Sequence, residues 1–157
     1  MSKSFILCDS REKDNKNVLK TFREKDVLYV TTGLSTGDYV GIKYENGYHV
    51  NKECVVDLKN KVLELAGNLC GSKDSHEREK AKLYKAKEMG YKRFVFLIYD
   101  KDIKEIDELE TWSHEKTKIK GNTLLKTMKT MNVKYGCEYI FVNSKELIGE
   151  KIVELVG

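Results

Sequence analysis

Three residues of the chain have types and spacing that suit one kind of chemistry: Asp38, and Asp57 with Lys59 two positions on. A pair of carboxylates holds a hard divalent cation such as Mg²⁺ or Mn²⁺, which prefers oxygen ligands and keeps several of its waters. Such a cation polarises a phosphate and acidifies a bound water. A lysine beside it sets positive charge next to the nascent hydroxide or the charge developing on phosphorus. The set therefore reads as a centre for hydrolysing phosphodiesters. An Asp-x-Lys triplet also occurs in many charged chains, and an exposed, salt-bridged strand edge is its competing reading. The context favours chemistry: Asp57 and Lys59 follow Cys54-Val55-Val56, where a strand leaves the core. Sites in α/β folds gather at such strand ends.

The elements that must position these residues can be read from the pattern. Phe5 to Cys8 is a first strand, and Asn17 to Lys25 has apolar residues at helical spacing, Val18, Leu19 and Phe22. Val27 to Thr31 is β-branched and aromatic, and Gly33 to Gly37 is a loop. Asp38 to Tyr44 and Tyr48 to Lys59 form two strands around a Glu45-Asn46-Gly47 hairpin turn. Residues two apart on a strand share a face, so Asp57 and Lys59 reach one point and Asp38 reaches it from the adjoining strand. Helices are predicted over Val62–Leu69, over Ser75–Met89 with Ser75 as cap and Glu77 and Glu79 in its first turn, over Asn122–Met131, and over Lys145–Leu155. Arg93 to Tyr99 is a doubly buried strand, Asp102 to Trp112 a polar connection with some helical character, and Glu138 to Val142 a last strand. The order implies an α/β fold, a central mixed β-sheet flanked by helices, in a single domain over residues 1–157.

Two further clusters could serve the same centre. Asp9-Ser10-Arg11-Glu12 lies directly after the first strand, as a site segment or as a polar turn capping the next helix. The Ser75–Met89 helix carries His76, Glu77, Arg78, Glu79, Lys80 and Lys82, which could offer cations to phosphates and one acid to a metal. A solvated face with i,i+4 ion pairs is the alternative. Arg11, Arg78 and Lys82 are the candidate nucleic-acid contacts. The net charge of +4 over 157 residues is compatible with a polyanionic partner, and 34% charged residues make an ionic surface. Cys8, Cys54, Cys70 and Cys137 include no C-x-x-C pair, so free thiols in a reducing cytoplasm are expected rather than structural zinc. No apolar run is long enough for a membrane span.

The ordered motifs resemble the XPF-type nuclease domain, a branch of the PD-(D/E)XK nuclease superfamily with a restriction-endonuclease-like core. That branch reads D-x-R-E after a strand, then G-D-Y, then E-R-K, an acidic-apolar helix, a basic helix and a buried strand. This chain shows Asp9-Ser10-Arg11-Glu12, Gly37-Asp38-Tyr39, Asp57-Leu58-Lys59, Leu63 to Leu69, His76-Glu77-Arg78-Glu79 and Phe94 to Ile98. The resemblance covers nearly the whole chain. It implies a metal-dependent endonuclease acting on DNA, with branched or flap DNA among its substrates. Asp38 and Asp57 would be ligands for Mg²⁺ or Mn²⁺, Lys59 the catalytic lysine, and Asp9, Arg11 and Glu12 supporting residues. The chain departs from the pattern at Leu58, which replaces the arginine of E-R-K. It departs again at Leu63, with Glu64 one residue past the expected acid, and at Tyr99, with Asp100 next to the expected glutamate. These departures leave room for a weak or inactive nuclease-fold module that binds nucleic acid or a protein, such as a regulator or inhibitor of a host system. The family's separate helix-hairpin-helix domain does not fit in 157 residues, so a protein partner supplying DNA targeting is expected, with a homodimer through the later helices. The small size is similar to phage or mobile-element members of this branch, which would act in the host cytoplasm.

Overall fold

A computed structural model describes residues 4–12 and 15–157. Six strands form one sheet: β1 (Phe5–Asp9), β2 (Leu28–Thr32), β3 (Tyr39–Tyr44), β4 (Tyr48–Asn60), β5 (Phe94–Tyr99) and β6 (Glu138–Val142). Their spatial order is β2-β1-β3-β4-β5-β6. β3 runs antiparallel to both β1 and β4, while the pairs β1–β2, β4–β5 and β5–β6 are parallel. The sheet is therefore mixed, as the sequence implies.

Helices cover both faces, and the strand alternation shows which residues each face receives. On β5, Phe94, Phe96 and Ile98 enter the core under α2 (Val62–Cys70), α3 (Lys73–Glu88) and α4 (Gly121–Tyr135). Val95 and Leu97 enter the opposite core, beneath α1 (Lys16–Glu24) and α5 (Lys145–Val156). β5 is buried on both faces because parallel strands with crossover helices leave neither face to water. On β4, Val55 belongs to the α2 side and Val56 to the α1 side. Asp57 and Lys59 share the parity of Val55 and so point toward α2 and α3, whereas Leu58 points the other way.

Local chemistry sets the boundaries, and it moves several of them from the sequence reading. α3 begins at Lys73, not Ser75: Ser72 is its cap, in an extended conformation, and its Oγ accepts the Ser75 N–H at 3.0 Å. A cap residue must lie outside the helix with its side chain turned back on the first turn, and Ser72 does so while Ser75 is already helical. α4 runs on to Tyr135 and ends where Gly136 turns left-handed at φ +72°. The polar connection after β5 contains a 3₁₀ turn, Ile106–Thr111, closed by a reciprocal Glu105–Glu108 capping box. No described helix is long and apolar enough to cross a membrane.

Candidate active site

The β3–β4 register brings the carboxylates together. Tyr39 faces Val56 across the pair, so the next step sets Asp38 opposite Asp57. Directly opposed residues on an antiparallel pair have neighbouring Cβ atoms on one face. The backbone fixes the approach: the Asp38 N–H donates to the Val56 carbonyl at 2.8 Å, and the Leu58 N–H donates to Asp38 Oδ2 at 2.7 Å. Gly37 makes this turn possible. Its φ is +71°, and a Cβ there would lie 2.3 Å from Val55 Cγ2, a clash no rotamer relieves cheaply.

Lys59 is held from three sides. Its Nζ lies 3.2 Å from Asp57 Oδ2 and 2.6 Å from Glu79 Oε1, and donates to Asn68 Oδ1 at 2.8 Å. Asn68 comes from α2 and Glu79 from α3. Lys82, one turn beyond Glu79, closes the ring at 2.9 Å from Glu79 Oε2 and 3.5 Å from Asp57 Oδ2. The Lys82 backbone carbonyl accepts from Thr36 Oγ1 at 2.9 Å, tying α3 to the loop that delivers Asp38. Asp57, Lys59 and Glu79 are each at most 4% exposed, so this is a buried charge cluster with a half-open rim at Asp38 and Lys82.

The charge states follow from that burial. The Asp38 carboxyl is pushed up to about 9, first by burial and then by facing Asp57, to which it is hydrogen-bonded. Burial acts the same way on Asp57, but the Lys59 and Lys82 ammoniums outweigh it and hold that carboxyl below its ordinary range. Burial would discharge Lys59, yet Asp57 and Glu79 together raise it well above an ordinary lysine. Without a cation, then, Asp57 is ionised, Asp38 holds a proton against it, and Lys59 is fully charged.

This arrangement fits a divalent cation. Two carboxyls forced to share a proton relieve their repulsion when a cation takes the proton's place. Among the described residues no group of three or more His, Cys, Asp or Glu side chains gathers as a metal cage. A cation here would take its remaining ligands from water and phosphate, as Mg²⁺ commonly does.

The other candidates from the sequence fall into different places. Asp9 is buried and works as a clamp: it accepts from Arg11 Nε at 3.1 Å and from the Leu34 N–H at 3.0 Å, while Arg11 Nη2 donates to the Leu34 carbonyl at 2.6 Å. The Asp9 N–H also holds the Asp38 carbonyl at 2.8 Å. These two residues thus fix the β2–β3 loop rather than reach the carboxylates. Glu12 lies close enough to raise the Asp38 carboxyl further. Arg78 is exposed on α3, one turn before Lys82, and donates to Ser75 Oγ at 3.2 Å. Asp100, beside the departed family position, accepts the Val62 N–H at 3.0 Å and so holds the start of α2. Glu79 and Asn68 were missing from the sequence-derived centre. Glu79 had a signal, because it stands on the same stripe as Leu83 and Ala86, the buried face of α3. Asn68 had none.

A family model for the ERCC4 domain matches residues 8–155. Among solved structures, XPF from Aeropyrum pernix is similar with a TM-score of 0.67 and 16% identity, over 96% of this chain and 62% of that one. XPF from Aeropyrum pernix in complex with DNA is similar with a TM-score of 0.68 and 16% identity, over 98% of this chain and 64% of that one. At such identity the likeness is one of fold, and the chain spans less than two thirds of the length of either structure. No curated protein matches the sequence.

Proposed function

The chain belongs to the ERCC4 domain family, and from that premise we propose that it is a divalent-cation-dependent DNA endonuclease centred on Asp38, Asp57 and Lys59. The observation that carries the reading is the meeting of Asp38 and Asp57 across the β3–β4 register with the Lys59 ammonium 3.2 Å from Asp57. Asp38 and Asp57 would hold the cation, which when bound supplies Lewis acidity toward the phosphate and a more acidic water. The net reaction adds water across one P–O ester bond, leaving a phosphate monoester on one strand end and a hydroxyl on the other.

The side chains divide the work. Lys59 cannot act as a base at neutral pH, because Asp57 and Glu79 keep it protonated. It serves as a fixed positive charge for the oxyanion that develops on phosphorus, worth most in a site this dry. Glu79 and Asn68 are positioning residues that stop the ammonium from turning away. Asp9 and Arg11 hold the loop that presents Asp38. Lys82 and Arg78 are the proposed phosphate contacts along α3, with Lys82 at the rim.

The test is cleavage of labelled duplex, single-stranded and flap DNA with Mg²⁺ or Mn²⁺, comparing wild type with Asp57→Ala and Lys59→Ala. Cutting that needs the metal and is lost in both variants is the expected result. DNA binding by folded wild type without cutting of any substrate would overturn it and assign the fold to a nucleic-acid-binding module.

A further inference from the structure

Leu58 lies between Asp57 and Lys59 in sequence but points to the other face of the sheet, where a cavity of about 310 Å³ opens. Leu58 and Ile148 give it apolar walls, and Tyr99 contributes an aromatic ring. The Lys145 ammonium stands 6.0 Å from the centre of that ring. The parallel β4–β5 pairing sets Tyr99 beside Asn60, one residue past Lys59. The cavity therefore sits at the same strand end as the carboxylates. Electrostatics link the two: Glu12 lines the cavity and acts on Asp38, and Glu64 lines it and feels both Lys59 and Asp57.

The lining selects the class of ligand. Among the described lining residues Arg11 and Lys145 are balanced by Glu12 and Glu64, so these side chains offer a phosphate no excess positive charge. An apolar wall, an aromatic face and polar groups at the rim suit a flat, neutral ring with hydrogen-bonding edges. The volume lies at the small end of ligand pockets, enough for one heterocycle and not for a base pair.

We propose that this cavity is a subsite for a single unstacked nucleobase, taken from the strand that crosses the carboxylates at the end of β4. The strand assignment rests on the nuclease reading; the nucleobase site itself does not. A strand passing across the end of β4 would set a phosphate on the Asp57 side and an adjacent base on the Leu58 side. Tyr99 offers the stacking ring, and the Lys145 ammonium, which lies over it, would turn aside toward the phosphate that follows the base.

The experiment is an ¹H–¹⁵N titration of the protein with deoxycytidine monophosphate, with deoxyribose 5-phosphate as the baseless control. The expected result is saturable shifts at Asn60, Tyr99 and Lys145 with the nucleotide and none of comparable affinity with the control. Leu58→Trp, which fills the cavity, should abolish them. Tyr99→Ala, which removes the ring without adding bulk, should weaken nucleotide binding by about fivefold or more, the lower end of a base–aromatic stack. Equal shifts with both probes would mean a phosphate site and overturn the proposal, as would binding that survives both substitutions. Nucleotide shifts in a protein that cuts no DNA would sink the nuclease reading and leave the subsite standing. Cutting unaffected by Leu58→Trp, with no shifts in wild type, would do the reverse.

Discussion

Glu79→Gln and Lys59→Met, singly and together, test whether the ion cluster under the site behaves as one coupled unit. Glu79 and Lys59 are 4% and 3% exposed, with their charges 2.6 Å apart and the Lys82 ammonium 2.9 Å from the other Glu79 oxygen. With Asp38 protonated, Asp57 and Glu79 balance Lys59 and Lys82. Deleting one partner of a buried pair costs about 3–5 kcal/mol, because the other is left uncompensated. Glutamine keeps an acceptor for Lys59, and Lys82 is exposed enough to turn to water, so Glu79→Gln belongs at the lower end, about 3 kcal/mol. At about 2–4 °C per kcal/mol for a chain of this length, the thermal midpoint should fall by roughly 6–12 °C. Lys59→Met leaves two carboxylates to one lysine and should cost about as much. The double variant removes one charge of each sign and leaves Asp57 with Lys82. Its loss should fall short of the sum by about 1–3 kcal/mol. Urea unfolding followed by far-UV circular dichroism, with m-values compared across the four proteins, measures this. Additivity within about 0.5 kcal/mol would refute the cluster as a unit and reduce it to independent contacts.

Four other outcomes follow from the same geometry. Gly37→Ala meets both the Val55 side chain and a left-handed backbone, so it should cost about 1–3 kcal/mol, and metal-dependent cleavage should fall further than Tm alone accounts for. Lys61 starts α2 at φ +75° and ψ 150°, a region that favours glycine; Lys61→Gly should stabilise by about 1 kcal/mol after the glycine's own entropy cost, and a loss of stability in urea would contradict the strain. The Asp38 carboxyl at about 9 predicts that Mn²⁺ binding near neutral pH releases about one proton, with affinity rising up to about tenfold per pH unit and levelling above about pH 9. Calorimetry in buffers of different protonation enthalpy counts that proton, and a count of zero would contradict it. The sign for stability is opposite for the two acids. Asp38's raised pKa makes the cation-free fold less stable as pH climbs from about 4 to 9, while Asp57's lowered pKa gives stability that is lost as pH drops below about 4.

The fold was legible because its strongest signals are local. The run Phe94 to Ile98 is too apolar for an edge, the Asn46-Gly47 turn fixes a hairpin, and apolar spacing marks the helices. Helix starts were less legible: Ser72 and Ser75 are equally good caps by type, and only the backbone decides which lies outside. The motif acids could be named from their order along the chain. Glu79 was legible only through its helical spacing from Leu83 and Ala86, which puts it and not Glu77 on the buried face; that this face lies under Lys59 is set by packing. The cavity by Leu58 was hidden for a different reason. It forms from residues 11 to 148, and their adjacency depends on strand order, which no local pattern encodes.

The meeting of Asp38 with Asp57 depends on an irregularity in the β3–β4 pairing a few residues from each. In the outer part of the hairpin Gly41 faces Asn51, but its neighbour Val40 faces Val55. β4 therefore carries three residues, Lys52, Glu53 and Cys54, that have no counterpart on β3. Such an insertion bends the strand and resets which residues face each other. Had the turn's register continued unbroken, Asp38 would stand opposite Cys54. An insertion of an odd number of residues also exchanges the faces of everything beyond it. The same irregularity thus sends Asp57 and Lys59 toward α2 and α3, where Asn68 and Glu79 wait, and sends Leu58 toward the cavity. The long β4 strand does more than connect the turn to the core: its extra residues decide which side of the sheet carries the charges and which the apolar pocket.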